Sequence, residues 1–147
     1  MNPRVIQSLV GTAVEVCENM MGLEVRPGTP LPDGQMPATA YASRMALRCD
    51  GTDCGFVALH VDAPVAATMQ AGFLGGEGVP GGDIADTVNE VLNIITGRVK
   101  GILSQERPGL TFDFPKFMRN APAGGTGTVI PFHLPGGVFF VVIDTGE

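Results

Sequence analysis

The sequence predicts an α/β (α+β) domain on a mainly antiparallel sheet, and three observations lead to that expectation. Two long segments, one beginning at Met1–Pro3 and reaching about Met21, the other spanning Asp83–Ser104, carry apolar residues at helical spacing. Between and after them, short apolar runs alternate with tight turn sequences, as consecutive hairpins do. The 147 residues, 44% hydrophobic and 16% charged, suffice for one core, and no repeat or long linker divides them. Residues 1–147 therefore read as a single domain.

In chain order, Asn2 supplies a side-chain acceptor for a helix start and Pro3 a residue whose missing N–H loses nothing there. Val5, Leu9, Ala13, Val16, Cys17 and Met20 form the apolar stripe, and Gly22 is placed to end the helix. Residues 27–37, PGTPLPDGQMP, form a turn-rich loop. Thr39–Cys49 and Gly55–Val61 are expected as strands joined through Asp50-Gly51-Thr52-Asp53. A short helix opens at Asp62-Ala63-Pro64 and runs to about Phe73. The following GGEGVPGG is a loop, and it lacks the Lys-Ser/Thr pair of a phosphate-binding loop. After the Asp83–Ser104 helix come three expected strands, Leu110–Phe117, Gly127–His133 and Val138–Asp144. The last is apolar on both faces, so it belongs in the sheet interior or against a second chain.

Composition excludes several function classes. A formal charge of −6 argues against nucleic acid or an anionic membrane as partner. The N-terminal segment holds Pro3, Arg4, Glu15 and Glu18, so it has no uninterrupted signal-peptide core. The longest apolar run, Val138–Ile143, is too short to span a bilayer as a helix. A cytoplasmic protein is expected, and with it reduced thiols at Cys49 and Cys54. Cys49, Cys54 and His60 lack the fourth ligand and the spacing of a metal site. His60 alternates with apolar residues and reads as structural. His133 has no serine or cysteine partner for a triad. Lys116 and Arg119 form a basic spot, read mainly as surface charge.

The informative stretch is DTVNEVLNIITGRVKG, residues 86–101. At about 100° per residue, Asp86, Glu90, Asn93 and Gly97 fall within roughly 60° of one another. Val88, Val91, Leu92, Ile95, Val99 and Ile102 occupy the opposite half, so the polar stripe faces away from the core. A face selected only for helix stability would look different. Asp86 and Glu90 are like charges at i and i+4, and Gly97 costs close to ~1 kcal/mol relative to alanine. The glycine leaves the surface flat beside Asn93, where another molecule can approach.

The pattern Asp-x3-Glu-x2-Asn at Asp86, Glu90 and Asn93, followed by Gly97 and Lys100, resembles the signature of the CheC/CheX family of chemotaxis phosphatases. The opening helix, the hairpin ending GFVALHV and the helix before the GGEG loop are also CheX-like, so the similarity runs from Asn2 to about Pro115. Pro115 matches a family proline a little over twenty residues beyond the asparagine. The first helix offers Glu15-Val-Cys-Glu18 with no amide at the corresponding position, which favours the single-site CheX type over the two-site CheC type. The resemblance implies an antiparallel sheet with the two long helices on one face, and a homodimer.

It also implies a chemistry. The family's substrate is a phosphorylated, CheY-like response regulator with an acyl phosphate on an aspartate. The protein then has no cofactor of its own, and the receiver domain brings the divalent metal (Mg) and a lysine. What remains is to hold a water in line with phosphorus. Asn93 is expected to do so, Glu90 to pair with the receiver's lysine, and Asp86, Gly97 and Lys100 to lie in the partner contact. Asp86 could touch the receiver's rim or cap local backbone. Two alternatives stand beside the phosphatase: a non-catalytic response-regulator or flagellar-switch docking module on the same fold, and a small-molecule-binding domain using the glycine-rich loops.

Overall fold

The computed structural model describes residues 2–32, 35–75 and 83–146, without the side chains of residues 74 and 75. Helix α1 spans Pro3–Met21. The Asn2 side chain accepts from the Arg4 N–H at one end, and Gly22, at φ 65°, closes the other in the left-handed conformation that glycine adopts without strain. A two-residue strand β1, Arg26–Pro27, follows in a region expected to be loop. Strands β2 (Thr39–Cys49) and β3 (Thr52–Val61) form the long central hairpin. Its turn is the pair Asp50-Gly51, both at positive φ, the combination that matches the twist of a two-residue hairpin.

Helix α2 runs Ala63–Gly75 and α3 Ile84–Glu106, two residues past the expected Ser104. The expected GGEGVPGG loop lies, after Gly75, outside the described residues. Asp83 caps α3 by accepting from the Asp86 N–H at 2.8 Å. Then come β4 (Leu110–Phe112), β5 (Lys116–Ala121), β6 (Thr128–Leu134) and β7 (Gly137–Asp144). The strand expected over Leu110–Phe117 is thus two strands. Both pair with β2, end to end along one edge. The break has a local cause: the Asp113 carboxylate is held by Arg48 at 3.0 Å and lies 3.9 Å from Lys116, and Pro115 has no N–H for a ladder.

The seven strands order as β1-β6-β7-β3-β2-β4, with β5 also on β2, and every pairing is antiparallel. The apolar strand β7 lies between β6 and β3, so it takes the interior place that the sequence allowed. Its bare edge therefore supplies no reason for a second chain.

The helices share one core with one face of the sheet. Val5, Leu9, Ala13, Val16 and Cys17 of α1, Val65, Ala66 and Met69 of α2, and Val88, Val91, Leu92, Ile95, Val99 and Leu103 of α3 are all buried against it. The short helix α2 thus joins the two expected long ones. Each of the valine, leucine, isoleucine and methionine side chains contributes about 1.5–3 kcal/mol when fully buried. Six on α3 far outweigh the few tenths of a kcal/mol of repulsion between Asp86 and Glu90. A smaller cluster of Met36, Ala58, Val129 and Val142 covers part of the other sheet face. Helices α1 and α3 run antiparallel, tied at one end by Asn2 donating to Glu106 at 2.6 Å and farther along by Arg98 near Glu15 at 3.7 Å.

Cys49 and Cys54 form a disulfide, which corrects the expectation of reduced thiols. The tight hairpin brings their Cα atoms to 5.8 Å, inside the range a disulfide spans. Cys17 is free and buried, and burial, with Glu18 adding to it, pushes its thiol up to about 12. It is not a nucleophile at neutral pH. No helix among the described residues is long and apolar enough to cross a membrane.

Candidate functional site

Helix α3 presents Asp86, Glu90, Asn93, Gly97 and Lys100 on its exposed side, while Val88, Val91, Leu92, Ile95 and Val99 of its apolar half are buried and Ile102 partly so. Two contacts on one flank fix the rotation of the helix about its axis. Near its start, the fully buried Ser43 hydroxyl donates to Asn89 Oδ1 at 2.6 Å. Near its end, the Lys100 ammonium lies 5.2 Å from the centre of the Phe112 ring. Ser43 is in β2, and Phe112 of β4 pairs with Leu47 of β2. The helix is therefore pinned along β2 at two heights, and Glu90, Asn93 and Gly97 project outward between them. Releasing the buried hydroxyl would leave a polar group unpaired, at about 1–3 kcal/mol.

Asp86 sits in the first turn, where its charge favours the helix dipole. The capping carboxylate belongs to Asp83, and among the described residues the Asp86 side chain accepts no hydrogen bond. The backbone-capping option thus falls to its neighbour. Lys100 is exposed yet rests on Phe112, so it braces this part of the helix.

Gly97 has open space where a side chain would stand, with nothing within 4 Å of a Cβ built there. Gly97→Ala is therefore expected to raise stability by about 1 kcal/mol through helix propensity alone. Urea unfolding at equilibrium measures this, and an unchanged or lowered midpoint would show that the glycine serves the fold after all.

The remaining sequence candidates lie elsewhere. His60, half-buried on β3, pairs across the sheet with Ala42 and Phe140 and faces away from the helices. Its Nδ1 has no hydrogen-bond partner among the described residues. Burial, and then the nearby Arg44, hold its imidazole below the ordinary range. The unfolded chain consequently binds this proton more readily than the native one, and stability falls as pH drops through about 6.5. The urea midpoint should be lower at pH 5.5 than at pH 7.5, with a smaller difference in His60→Gln. An equal difference in the variant would assign the pH effect to other groups.

His133 is exposed at the far edge of the sheet, in an open cleft of about 430 Å³ shared with Glu24, Arg26, Leu134 and Pro135. Among the described residues lining that cleft there is no serine or cysteine for His133 to activate. Among the described residues, no three histidine, cysteine or carboxylate groups gather as a metal site requires.

Two features beside α3 escaped the sequence reading. The Ser43–Asn89 bond was one, although a serine at an inward strand position is a signal that it needs a partner. The other is the wall formed by β2 with β4 and β5. There Tyr41 and Phe117 stack with ring centres 5.6 Å apart, and the Arg119 guanidinium lies 5.5 and 5.4 Å from the two rings. Phe114, in the loop between β4 and β5, is 83% exposed.

The family model for chemotaxis phosphatase CheX matches residues 44–133, more than half of the chain and including the whole exposed stripe. No curated protein matches in sequence. The fold is similar to that of a CheC-like superfamily protein from Shewanella sp. PV-4, with TM-score 0.79 at 19% identity over 97% of both chains. It is similar to the chemotaxis protein CheX from Vibrio vulnificus, with TM-score 0.76 at 21% identity over 95% of this chain and 97% of that one. It also resembles a chain in the CheX–CheY–beryllium fluoride–magnesium complex from Borrelia burgdorferi, with TM-score 0.73 at 21% identity, covering 97% and 98%. By the extent of the model match and the agreement of fold, the chain belongs to the CheX family of chemotaxis phosphatases.

Proposed function

We propose that the protein accelerates dephosphorylation of a phospho-aspartyl, CheY-like response regulator by inserting Asn93 from the exposed face of α3. The observation that carries this is the joint exposure of Glu90 and Asn93, one turn apart, on a helix whose opposite half is buried. Family membership and the relative's complex with CheY support the choice of partner. An amide that must enter another protein's phosphorylation site has to stand on an exposed, rigid element.

The reaction forms a bond from water oxygen to phosphorus and breaks the bond to the aspartyl oxygen, leaving a carboxylate and inorganic phosphate that carries off the water's oxygen. Divalent metal on the receiver neutralises phosphoryl charge. The Asn93 carbonyl oxygen accepts from the attacking water while its NH2 donates to a phosphoryl oxygen. A carboxamide is no base, so its contribution is orientation. Glu90 pairs with the receiver's lysine and docks the helix over the phosphorylation site. Gly97 lets the two surfaces close, and Asp86 and Lys100 border the contact. A homodimer is proposed on family likeness alone.

Phosphate release from a panel of acyl-phosphorylated receiver domains, with and without the protein, tests the proposal. Acceleration for at least one receiver is expected. Binding without acceleration across the panel would favour the docking module, which the exposed pair would serve equally well as a contact.

A further inference from the structure

We infer that Arg119, held on the rings of Tyr41 and Phe117, is a second contact point of the docking surface and takes a carboxylate of the phosphorylated receiver beside its phosphorylation site. This rests on the proposed receiver partner.

Strand register places the platform. In β2, Tyr41 pairs with Arg119 and Ser43 with Phe117. Directly opposed residues in an antiparallel ladder point to the same face. Ser43 reaches α3 through Asn89, so Tyr41, Phe117 and Arg119 all lie on the helix side of the sheet. Lys116 pairs with Arg44 and faces the other side. The basic spot of the sequence is thus divided, and only Arg119 flanks the stripe. Along β2, Leu47 is level with Lys100 through Phe112, and Ser43 is level with Asn89. Tyr41 continues in the same direction. Arg119 therefore stands beside the first turns of α3, the end that carries Asp86 and Glu90.

The chemistry of the platform points outward. Among the described residues Arg119 forms no ion pair, although the chain carries an excess of carboxylates. The two rings support the guanidinium from one side and leave its N–H edges free, so little conformational entropy is lost when they engage a carboxylate in a bidentate pair. Arg119 lies at one end of an edge that also exposes Phe114, a large apolar contact.

Charge decides the occupant. The stripe on α3 offers only carboxylates and an amide toward the partner before Lys100. A receiver that holds magnesium presents carboxylates beside its phosphoryl group, because the ion is usually held by one or two carboxylates together with phosphate oxygens and waters. With Glu90 taken up by the receiver's lysine, Asp86 would meet those carboxylates with like charge. Arg119 supplies the opposite sign at that end of the helix, which makes the two surfaces complementary.

The test uses the full chain and a CheY-type receiver domain, in its magnesium–beryllium fluoride form for binding by fluorescence anisotropy and in its acyl-phosphorylated form for hydrolysis by phosphate release. Arg119→Ala is expected to weaken binding about tenfold and to flatten its salt dependence, with the saturating hydrolysis rate within about twofold of wild type. Arg119→Lys should recover only part of the loss, since an ammonium cannot stack or pair bidentately. Lys116→Ala, on the opposite face, should bind as wild type does. Wild-type affinity in Arg119→Ala, an equal loss in Lys116→Ala, or no binding of the receiver by the wild type would each overturn the inference. Binding that depends on Arg119 without any hydrolysis by the wild type would sustain it and sink the phosphatase proposal instead.

Discussion

Asn93→Ala is expected to lower the saturating rate of receiver dephosphorylation by roughly 10²–10³, with little change in receiver affinity. The loss of one hydrogen bond aimed at the transition state typically amounts to about 2–4 kcal/mol. Here that bond holds the attacking water, and its removal leaves Glu90 and the rest of the exposed face in place. The fold should be indifferent, because Asn93 is exposed and alanine is a better helix former. Asn93→Asp changes few atoms yet should be worse still. It replaces the donor NH2 with a charged oxygen pressed against phosphoryl oxygens. Single-turnover phosphate release at saturating protein reads both variants, and near-wild-type rates in Asn93→Ala would remove Asn93 from the mechanism.

Glu90→Ala is expected to act on the other parameter. Glu90 lies one turn before Asn93, and its proposed partner is a lysine at the bottom of the receiver's site. Truncating one member of a desolvated charge pair typically costs about 2–5 kcal/mol, much of it from the charge left alone. Receiver affinity should fall by about thirtyfold or more. The rate at saturation should fall much less, because Asn93 and its water are still delivered once the complex forms. Anisotropy of the beryllium fluoride form of the receiver measures the affinity. A Glu90→Ala protein that binds normally but does not turn over would make Glu90 a group that touches the reacting atoms.

Much of this was legible in the sequence because it is local. The α3 cap at Asp83, the stripe of Asp86, Glu90, Asn93 and Gly97, and the apolar half beneath them all follow from one helical period. The Asp50-Gly51 turn announces its hairpin in two residues. What escaped depends on register between segments far apart. Ser43 and Asn89 are 46 residues apart, and only the position of α3 over β2 joins them. Arg119 gains its ring platform from strand pairing that periodicity cannot give. The split of β4 from β5 was only half legible: Pro115-Lys116 breaks the alternation of LTFDFPKF, but the hold on Asp113 comes from Arg48, a residue of another strand. The disulfide was discounted on compartment, yet the hairpin geometry brings Cys49 and Cys54 within reach.

The central claim is that α3 divides its labour, Glu90 holding the receiver and Asn93 holding the water. One titration tests it most directly: phosphate loss from a fixed amount of acyl-phosphorylated receiver against increasing wild-type, Asn93→Ala and Glu90→Ala protein. The expected pattern is crossed, with Asn93→Ala reaching a plateau roughly 10²–10³ lower at an unchanged midpoint and Glu90→Ala approaching the wild-type plateau at a midpoint about thirtyfold or more higher. An Asn93→Ala curve that superimposes on the wild type would contradict it and leave the helix as a docking element without a catalytic group.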